Sequence, residues 1–327
     1  MNRTLLFSYL TQAYISFIGV ALMPVYLHYM GSEAFGLVGI FLMVQAGIQL
    51  FDFGLTPTLS REMSLFRSGK HTALTAWRRL RSLEWVFAGL CITSILSFWL
   101  SKNWIANSWL KLESIETNIV IESIFLMGIA ATLRWLTGFY RAALIGLERH
   151  AWVNGTQAFF ATVKFLLVIP VLAMTTSPAL VFFLYQAIVC LAELVVFARG
   201  LYRALPGVPD STLPDLAALK AMWPTASSMA FMMGMWIFIS QIDKLILSQV
   251  LQLESFGYFT LAVAVAGGGL LLLPSLNQVL QPRMTILVAQ GHTEELNRLY
   301  HSATQFSVVI FGVLGGGLAL LAEPVLW

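Results

Sequence analysis

Long apolar stretches recur along the whole chain, and short polar segments separate them. A helix that spans a membrane needs about 20 predominantly apolar residues. Nine stretches qualify, covering residues 6–29, 37–55, 83–100, 119–138, 153–174, 179–198, 226–250, 257–280 and 303–322. A membrane β-barrel would instead show short segments in which apolar and polar residues alternate. The pattern therefore predicts an all-α membrane protein with nine spans, and Pro24, Pro170 and Pro274 are expected to kink three of them.

The composition excludes several other classes of protein. Only 11% of the 327 residues are charged and 58% are hydrophobic, with a mean hydropathy of +0.79. Soluble domains carry about 25% charged residues, and disordered or nucleic-acid-binding chains carry more still. Cys91 and Cys190 lie inside apolar runs without metal-ligand spacing. No nucleophile or ATP-binding motif occurs either, so we expect no cofactor, no nucleic acid partner and no enzymatic activity.

The distribution of basic residues predicts the orientation. With the N-terminus in the cytoplasm, 14 of the 19 lysines and arginines fall in inner segments. The outer segments hold only Lys102 and Lys111. Because cytoplasmic loops are enriched in basic residues, this asymmetry predicts a multi-pass protein with a cytoplasmic N-terminus.

A short motif occurs twice. Glu33-Ala34-Phe35-Gly36 returns 221 residues later as Glu254-Ser255-Phe256-Gly257, each time on the predicted outer side before a span. The matching order and spacing favour an internal duplication. We therefore predict a six-helix bundle over residues 1–205, a proline-rich cytoplasmic linker over 206–222, and the first three helices of a second bundle over 223–327. A complete repeat implies twelve helices, so the chain is expected to be a fragment or a natural truncation.

Several polar residues share helix faces inside the predicted spans. An ionisable group there costs about 2.5–3.5 kcal/mol and usually faces a cavity or a partner. The resulting candidates for a substrate pathway are Gln45, Gln49 and Asp52 in the second span, Arg134 in the fourth with Arg141 just past its cytoplasmic end, Asn154, Gln157 and Lys164 in the fifth, Gln241, Asp243 and Lys244 in the seventh, and Arg283 after the eighth.

Each candidate has a structural alternative. Arg141 could extend its guanidinium to the inner headgroups, and Asp52 could cap or pair near the end of its helix. Lys164 lies too deep for an easy extension to the surface, which favours a cavity role. Asp243 and Lys244 are adjacent and point in different directions, so we do not expect a self-contained ion pair.

Several segments resemble the polysaccharide-export branch of the multidrug/oligosaccharidyl-lipid/polysaccharide transporter superfamily, the Wzx-type flippases. The similarity covers essentially the whole chain, although each motif is short. The segments are Tyr29-Met30-Gly31-Ser32-Glu33-Ala34-Phe35-Gly36-Leu37, Asp52-Phe53-Gly54-Leu55, Ser60-Arg61-Glu62, Leu144-Ile145-Gly146-Leu147-Glu148-Arg149, Gln241-Ile242-Asp243-Lys244-Leu245, Gly257-Tyr258-Phe259-Thr260-Leu261-Ala262 and Pro282-Arg283.

The resemblance implies two six-helix bundles around a cationic cavity in the bacterial inner membrane. The implied activity is alternating-access movement of an undecaprenyl-pyrophosphate-linked oligosaccharide, an O-antigen or capsule repeat unit, to the outer leaflet. An H⁺ or Na⁺ gradient or the membrane potential would drive it, and membrane lipids and the pathway's glycan polymerase and chain-length proteins are the implied partners. The alternatives are a cation-coupled drug exporter using Asp52 or Asp243 and, less favoured, a membrane glycan polymerase or ligase.

Overall fold

A computed structural model describes residues 3–52, 54–112, 115–207, 215–268 and 293–320. The regular structure of these residues is entirely helical. The first helices are α1 (Arg3–Ala21), α2 (Met23–Met30), α3 (Ser32–Ile48), a 3₁₀ turn (Gln49–Asp52), α4 (Leu55–Arg67) and α5 (Ala73–Trp104), which continues as a π-helical turn (Ile105–Trp109). They are followed by α6 (Thr117–Gly146), α7 (His150–Phe165), α8 (Val168–Ala173), α9 (Pro178–Ala204), α10 (Leu216–Val250), α11 (Leu253–Gly268) and α12 (Thr293–Leu320).

Five helical stretches in the described residues are long and apolar enough to cross a membrane. They are Leu10–Met30, Ala73–Trp109, Thr117–Gly146, His150–Ala173 and Pro178–Ala204, which correspond to the predicted spans one, three, four, five and six. Helix α3 is apolar but shorter. Helices α10, α11 and α12 overlap the last three predicted spans, and the second half of the eighth lies outside the described residues. The class of all-helical protein with several possible membrane spans is confirmed, and the number nine stays a prediction.

Two of the five stretches are interrupted by a break in the helix. The first breaks at Leu22, and Pro24 occupies the first turn of α2. The second breaks between Phe165 and Val168, just before Pro170. Proline lacks a backbone N–H and its ring collides with the preceding turn. The breaks predicted at Pro24 and Pro170 are therefore confirmed, and Pro274 lies outside the described residues.

The polar segment after the second span folds into a helix of its own. In α4, Leu55, Leu59 and Met63 recur every four residues and are buried, whereas Arg61 and Arg67 are exposed. This spacing places all three apolar side chains on one face. The sequence had predicted only a basic connector here, and the amphipathic spacing was the signal that could have revealed the helix.

Helices α3 and α11, which carry the two copies of the Glu-x-Phe-Gly motif, pack directly against each other. A Cβ placed on Gly36 would lie 2.2 Å from the carbonyl oxygen of Leu253. A Cβ placed on Gly257 would lie 2.9 Å from the carbonyl oxygen of Ser32. Ser32 also donates a hydrogen bond to Glu254, with an Oγ–Oε1 distance of 2.8 Å. The contact is reciprocal, because each glycine faces the residue that precedes the other copy of the motif. Only glycine, which has no Cβ, permits the two helix backbones to approach so closely.

The glycine contact gives a stability prediction with a control on the same helix. Gly36→Ala forces a methyl group against the Leu253 backbone, and overpacking of this kind costs about 1–3 kcal/mol. Gly47→Ala meets open space and should be neutral or stabilising by up to about 1 kcal/mol. Thermal unfolding of the purified protein in detergent should give a lower Tm for Gly36→Ala only. Equal Tm values would contradict the close approach of α3 and α11.

Candidate functional site

Helices α6, α7 and α9 bring three basic residues and one carboxylate into a single cluster. Lys164 on α7 forms an ion pair with Glu193 on α9. On α6, Arg141 lies close enough to both Arg134 and Glu193 to interact electrostatically with them. Of the residues predicted for a substrate pathway, the structure therefore brings Arg134, Arg141 and Lys164 together. We refer to these three residues and Glu193 as the cationic cluster.

The ion pair is withdrawn from the surface. Lys164 is 6% exposed and Glu193 is 8% exposed. Two charges taken out of water are tolerated only when they are paired and well hydrogen-bonded, since desolvation alone costs several kcal/mol for each ion. The charge of Lys164 is therefore balanced by Glu193 within the protein.

Sequence reasoning missed Glu193, although a signal was present. Gln186, Cys190 and Glu193 follow each other by four and then three residues, which is the spacing of one helix face. All three are buried. The same spacing on α7 had revealed Lys164, so a comparison of the two faces could have predicted the ion pair.

The break after α7 exposes backbone carbonyls, and side chains from neighbouring helices bind them. Tyr185 donates to the carbonyl oxygen of Val163 at 2.7 Å, and Gln186 donates to that of Lys164 at 3.3 Å. Tyr26 on α2 donates to that of Phe165 at 2.7 Å. A carbonyl without a partner is costly in a bilayer, where no water can replace the missing bond. These contacts fix the end of α7, and its partial negative charge favours the ammonium of Lys164.

The two arginines of the cluster differ from Lys164 in having no carboxylate of their own. Within the described part of the chain, neither Arg134 nor Arg141 forms an ion pair. Arg134 is exposed and Arg141 is partly buried. Since Glu193 offsets only one of the three positive charges, the cluster has an excess of positive charge that an anion could neutralise.

The remaining candidates on α7 share the face of Lys164. Asn154 and Gln157 are both partly buried. His150–Phe165 is helical, so the spacing of three, four and three residues through Ala161 to Lys164 places them on one face. That this face lines a substrate pathway stays a prediction. Farther along α7, Thr162 forms a hydroxyl–hydroxyl hydrogen bond of 2.7 Å with Tyr14 on α1. Thr162 lies about 120° around the helix from the centre of that face, so α7 contacts α1 through a different face.

Asp52 serves as a cap for α4. Its carboxylate accepts hydrogen bonds from the hydroxyl of Thr56, from the Thr56 backbone N–H at 3.2 Å and from the indole of Trp135 at 3.3 Å. A carboxylate at this position satisfies an N–H at the start of the helix. The capping alternative for Asp52 is what the structure contains. Gln49 begins the 3₁₀ turn, and the buried Nε2 of Gln45 has no hydrogen-bond partner among the described residues.

The candidates on α10 lie near its end, and one expectation about them is wrong. Lys244 Nζ is 3.5 Å from Asp243 Oδ1 and donates to the carbonyl oxygen of Ser240 at 2.9 Å. The four-carbon stem of lysine is long enough to fold back along the helix, so adjacent residues can pair despite diverging Cβ directions. Gln241 is partly buried, and Arg283 lies outside the described residues.

Comparisons with known proteins do not assign the chain to a family. No family model, no curated protein and no solved structure matches the chain. Among the described residues, no group of three His, Cys, Asp or Glu side chains is placed to hold a metal ion. The class that the fold defines is therefore an all-helical protein whose long apolar helices are suited to a membrane.

The ion pair gives a second stability prediction. Lys164→Leu or Glu193→Leu alone leaves one buried charge without a partner, which costs about 3–5 kcal/mol. The double variant Lys164→Leu/Glu193→Leu removes both charges and should recover most of that loss. The free energy of unfolding is measured in bicelles for the wild type, both single variants and the double variant. If the loss in the double variant equals the sum of the two single losses, the two side chains do not form an ion pair.

Proposed function

We propose that the protein is a transporter that moves an undecaprenyl-pyrophosphate-linked oligosaccharide from the cytoplasmic to the outer leaflet of the bacterial inner membrane. The cationic cluster carries this proposal. Three basic side chains from two helices come together, and one carboxylate offsets only part of their charge. Arg134 and Lys164 lie inside predicted spans, and Arg141 lies three residues past the end of the fourth. Such a group is expensive in a membrane and is usually kept because it binds a substrate or an ion.

The charge of the cluster matches a pyrophosphate. A pyrophosphate diester carries about two negative charges, and guanidinium groups bind phosphate oxygens through two parallel hydrogen bonds. Arg134 and Arg141 are the donors in this scheme, because no ion pair occupies them in the described part of the chain. The half-buried amides of Asn154 and Gln157 on α7 suit the hydroxyl groups of a sugar. The lipid tail would remain in the bilayer.

The ion pair between Lys164 and Glu193 supplies a way to respond to the substrate. An arriving phosphate would compete with Glu193 for the ammonium of Lys164. Because the phosphate and the carboxylate repel each other, phosphate binding would favour movement of Glu193 away from Lys164. Binding and helix movement would then be linked, because Lys164 lies one residue before the end of α7 and Glu193 lies on α9. An inside-negative membrane potential would favour outward movement of an anion by about 2.3 kcal/mol per charge per 100 mV.

The contact of α3 with α11 supports an architecture of two related bundles. The approach is reciprocal, with Gly36 against Leu253 and Gly257 against Ser32. A pseudo-two-fold axis produces such a pattern, since equivalent residues then exchange places. We infer that residues 1–205 and 223–327 belong to two copies of one unit, with the N-terminus in the cytoplasm. The segment 206–222 joins them, and its residues from Leu216 onward are the first turns of α10.

A cation-coupled exporter is the second candidate function. Glu193 favours it, because a buried carboxylate inside a span can bind a coupling proton or cation. Asp52 supports it less than the sequence suggested, since both of its carboxylate oxygens accept hydrogen bonds at the start of α4.

The flippase proposal is tested in cells that lack the gene. Undecaprenyl-linked oligosaccharide should accumulate in the inner leaflet, and expression of the protein should restore export. The Arg134→Gln/Arg141→Gln variant should lose about ten- to a hundredfold of this activity for each arginine, which is the worth of a charged hydrogen bond.

The control for this experiment is Lys70→Gln/Arg78→Gln, which removes two exposed basic residues outside the cluster. It should export normally at equal membrane abundance. Full activity of the Arg134/Arg141 variant would overturn the proposed site. Normal lipid intermediates in the deletion strain, together with lost export of organic cations, would favour the exporter.

A further inference from the structure

A second group of arginines lines a cavity near the ends of the helices that carry the cationic cluster. The cavity has a volume of about 460 Å³ and lies where the end of α6 meets the start of α7 and the end of α9. Its lining includes Arg149, Arg199, Arg203 and the indole of Trp152. None of the four residues of the cationic cluster lines this cavity, and Arg199 follows Glu193 by six residues, about 9 Å along the helix axis.

The three arginines of the cavity have no internal anion. None of them forms an ion pair within the part of the chain that the structure describes, and all three are exposed. Glu148 is adjacent to Arg149 but pairs with Arg67 on α4 instead, at 3.6 Å. Three guanidinium groups around one cavity repel each other, so the arrangement favours an anionic ligand.

An exposed apolar stripe leads to the cavity along α9. Leu184, Ile188, Leu191 and Val195 are exposed, and they follow each other by four, three and four residues. Arg199 comes four residues later on the same face. A hydrocarbon chain lying on this stripe would therefore end with its polar group at Arg199.

Trp152 places the cavity at the edge of the membrane. Its ring lies against Gly200, where an added Cβ would be 2.4 Å from the indole. The ring also packs edge-on against Phe197, with a centroid distance of 5.5 Å. Tryptophan prefers the boundary between headgroups and hydrocarbon. The excess of basic residues at these helix ends predicts that the boundary is the cytoplasmic one.

We propose that this cavity binds the phosphate headgroup of an anionic phospholipid from the inner leaflet. The arginines bind the phosphate oxygens, and an acyl chain lies on the apolar stripe of α9. Basic pockets between helices on the cytoplasmic side are suited to such headgroups. The site is independent of the proposed transport, because it uses none of the residues of the cationic cluster.

The test measures lipids that stay bound to the protein. The full chain is placed in nanodiscs of phosphatidylcholine that contain phosphatidylglycerol, and native mass spectrometry counts the lipids retained after release. The Arg149→Gln/Arg199→Gln/Arg203→Gln variant should bind phosphatidylglycerol about a hundredfold more weakly, at about 1 kcal/mol per arginine. The matched control, Lys70→Gln/Arg78→Gln/Arg298→Gln, removes the same charge from exposed positions elsewhere and should bind normally.

A second variant tests the shape of the cavity without changing its charge. Gly200→Ala displaces the Trp152 ring and should also weaken retention of phosphatidylglycerol. The proposal is overturned if neither variant binds more weakly than the control, or if phosphatidylcholine is retained equally well. Binding of inorganic phosphate in the cavity, with no retention of phosphatidylglycerol, would assign the cavity to a soluble anion. Retention of undecaprenyl pyrophosphate in place of phosphatidylglycerol would assign it to the transport pathway, and either result contradicts the proposal.

Discussion

A bilayer supplies no water to a buried polar group, so an apolar helix that is suited to a membrane must pair its polar groups within the protein. The contacts around the end of α7 meet this requirement. The fifth predicted span is broken near Pro170, and the break would leave carbonyl groups without partners. Tyr26, Tyr185 and Gln186 bind those carbonyls from two neighbouring helices, and Glu193 binds the ammonium of Lys164. The polar contacts of α7 therefore hold α2, α7 and α9 together. The contacts that satisfy the carbonyl groups at the break also fix the position of Lys164 beside Glu193.

Depth along the helices separates two sets of basic residues that look alike in the sequence. Arg134, Arg141 and Lys164 lie among the apolar spans and share one internal carboxylate. The arginines at the ends of α7 and α9 border an open cavity next to an exposed apolar stripe. The inner set is suited to a ligand that crosses the membrane, whereas the outer set is suited to a lipid that stays within one leaflet. The two roles that we propose for arginine therefore differ because the surroundings of the side chains differ.

Much of this arrangement could be predicted from the sequence. The apolar runs predicted the five long helical stretches closely, since a bilayer requires one long hydrophobic stretch for each crossing. The predicted second span was less accurate, because α3 ends at Ile48. Helical spacing predicted the polar face that includes Gln157 and Lys164. Contacts between helices were harder, because spacing reports the face of one helix and does not report what packs against it. For that reason Glu193 was missed, and Asp52 could not be recognised as a cap of α4 before Thr56 and Trp135 were placed around it.

The central claim is that Arg134 and Arg141 bind the pyrophosphate of a lipid-linked oligosaccharide. The most direct test is an experimental structure of the protein in nanodiscs loaded with undecaprenyl-pyrophosphate-linked oligosaccharide. The account predicts phosphate oxygens within about 3 Å of both guanidinium groups and a lengthened contact between Lys164 and Glu193. A headgroup bound elsewhere, with that ion pair intact and both arginines unoccupied, would contradict it.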